Sequence, residues 1–166
     1  MADRDDLVVR LDLTSAQRSA ERARDMLLRL RKDFDLRPFE YCRHVRIAPT
    51  EIPYSHPEIT LNTWIGDELA LLASYLHEQM HWYVTWYAHL RPDQWREIFA
   101  SLCKRYPQMP AGGADGARDE HSGYLHLLVN WLEIETTSRF FDRERVIAHV
   151  RALPYYRWIY RTVTDD

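Results

Sequence analysis

The chain has 166 residues, of which 46% are hydrophobic and 28% are charged, a balance typical of globular proteins that excludes a disordered chain. This length predicts a single domain, residues 1–166. The formal net charge of −3 argues against nucleic acid as a partner, because phosphate binding requires a basic excess. The two cysteines, Cys42 and Cys103, lie too far apart in the sequence for a cysteine zinc knuckle, and they predict no disulfide framework.

The first half of the chain predicts one helix and two strands. The N-terminal stretch "MADRDDLVVRLDL" lacks the apolar core of a signal peptide, and no apolar run reaches the about 18 residues of a membrane span. We therefore expect a cytoplasmic protein without membrane contacts. Residues 14–32 have apolar positions at helical spacing, with Thr14 or Ser15 as the cap. The segments 39–49 and 58–65 alternate apolar and polar residues, which predicts two strands of a small antiparallel sheet.

The second half predicts a series of helices. The glycine-rich segment 107–123 holds four of the five glycines and predicts a flexible loop. The predicted helical and apolar segments are residues 67–90, 92–106, 124–141, 142–153 and the closing stretch 155–163. The expected fold class is therefore α+β, mostly helical.

The stretch "SYLHEQMHWY" places two histidines four residues apart on the longest predicted helix. On a helix, His77 and His81 present their imidazoles on the same face, one turn apart, which suits two ligands of one zinc ion. Glu78 lies about 100° around the helix, where a carboxylate can take a proton from a metal-bound water. The neighbouring residues are apolar, so the helix is expected to be buried. A hydrogen-bonded polar trio is the alternative, and it is costly in a core without a metal.

A catalytic zinc site needs a third protein ligand, and a polar stripe on the helix 124–141 supplies candidates. His126, Asn130, Glu133 and Thr137 fall on one side of this helix, whereas Glu135 falls on the other. Glu133 is the predicted metal ligand. His126 is predicted to act as a donor that stabilises oxyanion charge, with a role as the third ligand itself left open.

Three further groups of residues are candidates for a role near the site. Asn130 and Thr137 are candidates to orient ligands, with ordinary helix hydrogen bonding as the equal alternative. Helix capping is favoured over substrate contact for the acidic group that begins at Asp119. The tyrosines at 155, 156 and 160 are predicted core residues, with a hydroxyl donor to an oxyanion as the other interpretation.

"HEQMH", followed by a glutamate on a later helix, resembles the gluzincins, the zincin metallopeptidases with a glutamate as third zinc ligand. The resemblance covers two helices, and the closing half also resembles small bacterial zincin-like proteins of unassigned substrate. It implies a zincin-like fold with zinc on His77, His81 and Glu133, and Glu78 as general base. The sequence departs from the N-E-x-x-x-D pattern of the family, because Leu132 precedes Glu133.

These observations predict a zinc-dependent hydrolase, a metallopeptidase or amidase, in which Glu78 and His126 are catalytic. The expected partner is a peptide or small amide substrate, and the small size is compatible with a homodimer. Two alternatives stay open. Two histidines and one carboxylate also suit a non-haem iron enzyme, and a site closed by four protein ligands indicates a non-catalytic, metal-stabilised binding module.

Overall fold

The computed structural model describes residues 6–12, 17–64 and 66–165. The chain divides into two compact units, residues 1–82 and residues 83–166, and the division falls within one long helix. The prediction of a single domain remains a prediction.

The first unit contains a three-stranded sheet in which both strand pairs are parallel. The strands are β1 (Val8–Leu11), β2 (His44–Ile47) and β3 (Ile59–Leu61), in the order β1-β2-β3. Val9 lies opposite Val45, and Val45 lies opposite Ile59 on the other side. The predicted antiparallel sheet is therefore wrong.

The connections between the strands explain the parallel pairing. The helix α1 (Gln17–Asp33) joins β1 to β2 and provides the crossover that parallel neighbours require. Residues 48–58 join β2 to β3, a segment much longer than a hairpin turn. This segment pairs antiparallel with β3 at a single isolated bridge, between Tyr54 and Thr60.

The helix α1 packs against β1 and β2 through its small and branched apolar residues. The predicted helical spacing is confirmed, because the buried residues of this helix are Ala20, Ala23, Leu27 and Leu30. The predicted caps, Thr14 and Ser15, lie outside the described residues. A short 3₁₀ turn at Arg37–Phe39 precedes β2, which buries Val45 and Ile47.

The longest helix, α2 (Glu68–Leu90), begins where the Asp67 side chain accepts a hydrogen bond from the backbone N–H of Ala70 at 2.9 Å. This contact is a helix N-cap. The next helix, α3 (Pro92–Arg105), begins with a proline in its first turn, where a missing N–H costs nothing.

The second unit contains α3, α4 (Glu120–Thr137), α5 (Arg143–Arg151) and α6 (Arg157–Asp165). The helix α4 contacts each of the other three. One apolar cluster of this unit consists of Met109, Ala117, Tyr124, Leu127 and Ile159. The closing apolar segment of the sequence forms α6, which supplies Ile159 and Tyr160 to the core.

The glycine-rich loop between α3 and α4 is tied together by backbone contacts. The N–H of Gly112 donates to the carbonyl of Ala117 at 2.5 Å. Gly112 and Gly113 have φ values of +73° and +66°, which favour glycine, and a Cβ at Gly116 would collide with the backbone of Pro110. These glycines are therefore required by the path of the loop, and the flexibility expected from composition stays a prediction.

Over the described ranges, no helix combines the length and the apolar character that a membrane crossing demands.

Candidate metal and catalytic residues

The two motif histidines face one another on α2. Their Nε2 atoms are 3.3 Å apart, and their ring centroids are 5.0 Å apart with the planes at 69°. Two nitrogens bound to one tetrahedral zinc ion at about 2.0–2.1 Å are themselves about 3.3–3.4 Å apart. The distance between the His77 and His81 Nε2 atoms is therefore the distance expected for two ligands of one zinc ion. A hydrogen bond from one Nε2–H to the other Nε2 also fits this distance.

The face of α2 opposite the histidine pair anchors the helix in the first unit. With about 100° per residue, Tyr75, Gln79 and Trp82 lie within about 60° of one another, and His77 and His81 lie on the other side. Gln79 is fully buried, and its Oε1 accepts from the backbone N–H groups of Tyr41 and Cys42 at 2.8 and 2.9 Å. Its Nε2 donates to the carbonyl of Cys42 at 2.7 Å.

Two further side chains of α2 form hydrogen bonds on the same face. We call this face the α2 anchor and define it as Tyr75, Gln79 and Trp82. The Tyr75 hydroxyl donates to Glu40 at 3.0 Å, and Arg31 forms an ion pair with the same carboxylate at 2.9 Å. The Trp82 indole N–H donates to the backbone carbonyl of residue 55 at 2.7 Å. These bonds fix the rotation of α2 and thus the direction in which the histidine pair points.

Glu78 follows His77 directly and is 5% exposed. It lies on α2 between the histidine face and the α2 anchor, at about 100° from His77. The structure thus places a buried carboxylate beside His77 in the chain, at the position where the sequence predicts a general base.

The predicted polar stripe on α4 is confirmed as a buried stripe. His126, Asn130, Glu133 and Thr137 are 8%, 0%, 2% and 0% exposed. Glu135 is on the exposed side and forms an ion pair with Arg143 at 2.7 Å, as its predicted position requires.

His126 is held in one tautomer by the backbone of its own helix. Its Nδ1 lies 2.7 Å from the carbonyl oxygen of Ser122, which can only accept, so Nδ1 carries the proton. In the neutral ring, Nε2 then has a lone pair. This is the arrangement in which metal-binding histidines are normally found.

Glu133 is oriented by a tyrosine from α6. The Tyr160 hydroxyl donates to Oε2 of Glu133 at 2.8 Å, and both side chains are buried. Burial, followed by the neighbouring Glu133, raises the pKa of Tyr160 well above its usual value, so the hydroxyl stays a donor. Tyr160 is a core residue, as predicted, and its bond to Glu133 also lets it position that carboxylate. The core prediction is wrong for Tyr155, which is 49% exposed.

Other groups of the stripe and its N-terminus have more limited roles. Within residues 6–12, 17–64 and 66–165, both polar atoms of the Asn130 carboxamide and the Thr137 hydroxyl lack hydrogen-bond partners. Asp119 caps α4, because its side chain accepts from the N–H of Ser122 at 2.7 Å. This bond, with Arg118 as the next contribution, lowers the pKa of Asp119, and the predicted capping role is confirmed.

The contacts that sequence reasoning missed join residues that are far apart in the chain. Gln79 and Cys42 are separated by 37 positions, and Tyr160 and Glu133 by 27. The helical spacing of the α2 anchor was visible in the sequence, but its partners in the segment before β2 were not.

The chain was compared with protein-family models, curated proteins and solved structures, and nothing in any of the three matches it.

Proposed function

We propose that this chain is a zinc-dependent hydrolase of peptide or amide bonds, with His77, His81 and His126 as its metal ligands. The observation that carries the proposal is the 3.3 Å separation of the His77 and His81 Nε2 atoms. That separation matches two corners of a zinc tetrahedron, and imidazole nitrogen is a preferred zinc ligand.

The tautomer of His126 supports its role as the third ligand. A ring that donates from Nδ1 to the Ser122 carbonyl has its lone pair at Nε2, and this nitrogen would be the one to hold a metal. A neutral ring of this tautomer has no proton at Nε2 to donate to an oxyanion. We therefore propose His126 as a ligand in place of the donor role predicted from the sequence. The resemblance to gluzincins gives the third position to Glu133, and substitution separates the two assignments.

Zinc, when bound, supplies a Lewis acid that polarises a carbonyl and lowers the pKa of a nearby water molecule. The protein supplies the base. Glu78 accepts the proton of the attacking water and transfers it to the leaving amine, which completes cleavage of the amide bond. The α2 anchor holds the helix that carries Glu78, so the carboxylate is already oriented before substrate arrives.

A Glu78→Gln variant tests the catalytic part of the proposal. We expect it to retain zinc, because Glu78 is not a ligand, and to hydrolyse fluorogenic peptide amides about 10²–10⁴-fold more slowly than wild type. The measurement is initial rates of the zinc-loaded proteins on a panel of such amides, with zinc content determined on the same samples. Equal rates for wild type and Glu78→Gln, or no turnover by either, would refute the hydrolase assignment.

The identity of the third ligand is tested by a matched pair of substitutions on α4. His126→Ala is expected to lose zinc, whereas Glu133→Gln, which keeps the shape and an acceptor oxygen for Tyr160, is expected to retain it. Equilibrium dialysis against zinc distinguishes the two. Retention in His126→Ala together with loss in Glu133→Gln would return the ligand role to Glu133.

The proposal includes a cytoplasmic location and a peptide or small amide substrate, without nucleic acid or membrane as partners. Both cysteines, Cys42 and Cys103, are free thiols, which fits a reducing compartment. A homodimer is compatible with the small size and is tested by sedimentation of the purified chain.

A further inference from the structure

Tyr156 has an unusual backbone conformation. Among the described residues, Tyr156 is the one non-glycine residue with a positive φ, which is +53°. An aromatic L-residue rarely adopts this left-handed region, because its Cβ approaches the following carbonyl. Such a conformation persists when surrounding contacts over-determine it, and it often accompanies a functional site.

The contacts on both sides of Tyr156 hold this conformation in place. The backbone carbonyl of Tyr156 accepts from the N–H of Tyr160 at 2.8 Å, which starts α6. The next residue, Arg157, donates its N–H to the carbonyl of Ala114 in the glycine-rich loop at 3.0 Å. The turn is therefore tied to α6 on one side and to the loop on the other.

The ring of Tyr156 lies against the imidazole of His126. The two ring centroids are 4.4 Å apart and the planes are tilted by 37°, which is close packing contact. The imidazole is bonded to the Ser122 carbonyl through Nδ1, and the tyrosine ring packs against it. These two contacts restrict rotation of the imidazole about χ2.

We propose that Tyr156 is a positioning residue for His126: its strained backbone places the ring against the imidazole and maintains the tautomer with the proton on Nδ1. The metal-binding consequence rests on the proposed function. The effect on the tautomer does not, because Ser122, His126 and Tyr156 define it without a metal.

Three substitutions at one position separate the ring from the strain. Tyr156→Phe keeps both the ring and the positive φ, and removes only the hydroxyl. Tyr156→Ala removes the ring and keeps a Cβ in the left-handed region. Tyr156→Gly removes both, since glycine adopts positive φ without steric cost. Circular dichroism of each variant establishes that the helices are intact.

The first measurement is the tautomer of the neutral His126 ring in the metal-free protein, which the NMR chemical shifts of its two ¹⁵N imidazole nitrogens report. We expect one Nδ1–H tautomer in wild type and Tyr156→Phe, and a mixture of tautomers in Tyr156→Ala and Tyr156→Gly. The second measurement is zinc affinity by competition with a chelating dye. We expect Tyr156→Phe to bind within about three-fold of wild type and the other two to bind about 10–100-fold more weakly, as for other residues that orient metal ligands.

Each result supports or overturns the proposal. A single tautomer and unchanged zinc affinity in all four proteins would overturn it, even if Tyr156→Ala were less stable. A urea midpoint for Tyr156→Gly above that of Tyr156→Ala is expected, and the reverse order would contradict the strain. If wild type binds no zinc while the tautomer is lost only in the ring-deleted variants, the positioning role stands and the proposed function falls.

Discussion

At the scale of single residues, Tyr75 and Tyr160 each place a buried hydroxyl on a buried carboxylate. Tyr75 donates to Glu40 at 3.0 Å and Tyr160 donates to Glu133 at 2.8 Å. Burial raises the pKa of both tyrosines well above the usual value of about 10, with the adjacent carboxylate as the next cause. Both side chains therefore stay neutral in the folded protein under conditions that ionise an exposed tyrosine.

This pKa difference predicts a loss of stability in alkali. Below about pH 10 both tyrosines are protonated in the folded and unfolded chains, so their contribution is fully present. Above about pH 10 the unfolded chain loses protons first, and the free energy of unfolding falls by up to about 1.4 kcal/mol per pH unit for each tyrosine. Urea unfolding between pH 8 and pH 11 measures this slope.

Substitution of Tyr160 shows how much of this alkaline fall in the free energy of unfolding comes from that residue. Tyr160→Phe is expected to cost about 1.5–3 kcal/mol at neutral pH, because the bond to a carboxylate is lost, and to reduce the alkaline slope by one proton. Tyr155→Phe is the control, since Tyr155 is 49% exposed. Identical slopes in wild type and Tyr160→Phe would show that Tyr160 ionises normally in the fold.

At the scale of elements, the orientation of α2 depends on Gln79. Its side-chain carboxamide forms three hydrogen bonds with the backbone of residues 41 and 42: it accepts from two N–H groups and donates to one carbonyl. The helix is thereby fixed in rotation relative to the segment before β2. A change of rotation would turn His77 and His81 away from their present direction.

Gln79→Leu tests this function of the α2 anchor. Loss of the carboxamide leaves buried backbone groups without partners, and we expect the free energy of unfolding to fall by about 3 kcal/mol. Zinc affinity should fall as well, because α2 is no longer fixed in rotation. Gln108→Leu, at an exposed position in the loop after α3, is the control, with an expected change within about 0.5 kcal/mol. Equal urea midpoints for the two variants would contradict the anchor.

The sequence was sufficient to predict most helices and the polar stripe of α4. Helical spacing located α1 and α2 to within a few residues, because their apolar faces repeat with the helical period. The helix α4 begins at Glu120, four residues before the predicted start, since Asp119 caps it. The sequence indicates Asp119 as a cap, but the glycine-rich composition before Tyr124 hides the first turn of the helix.

The sheet was not predictable in the same way. The strand β1 is short, and its residues alternate between exposed and half-buried, so it has no strong apolar pattern. Alternation in the other two segments indicates strands but not their relative direction, because direction depends on the connection. The partner of β2 therefore required the structure, as did the contacts of Gln79 and Tyr160.

At the scale of the whole molecule, the proposed zinc site predicts that metal binding and folding stability are linked. A metal that binds only the folded chain adds RT ln(1 + [L]/Kd) to the free energy of unfolding, which is about 2.7 kcal/mol at a free concentration 100 times Kd. We therefore expect zinc to raise the urea midpoint of wild type and EDTA to reverse the change. The measurement is urea unfolding at fixed protein concentration with and without buffered zinc.

The His77→Ala variant provides the control for this linkage. Its urea midpoint should not respond to zinc, because one of the two converging Nε2 atoms is gone. A zinc-dependent increase of the same size in His77→Ala would mean that the stabilising ion binds elsewhere on the chain.

The most direct test of the site is metal content by elemental analysis after growth with zinc supplied. Wild type and His89→Ala, which alters an exposed histidine on the same helix, are predicted to contain one zinc per chain. His77→Ala and His126→Ala are predicted to contain none. Wild type without metal, or zinc retained in His77→Ala, would contradict the account and leave the two histidines as a hydrogen-bonded pair. Iron in place of zinc would instead favour the non-haem iron enzyme over the zinc hydrolase.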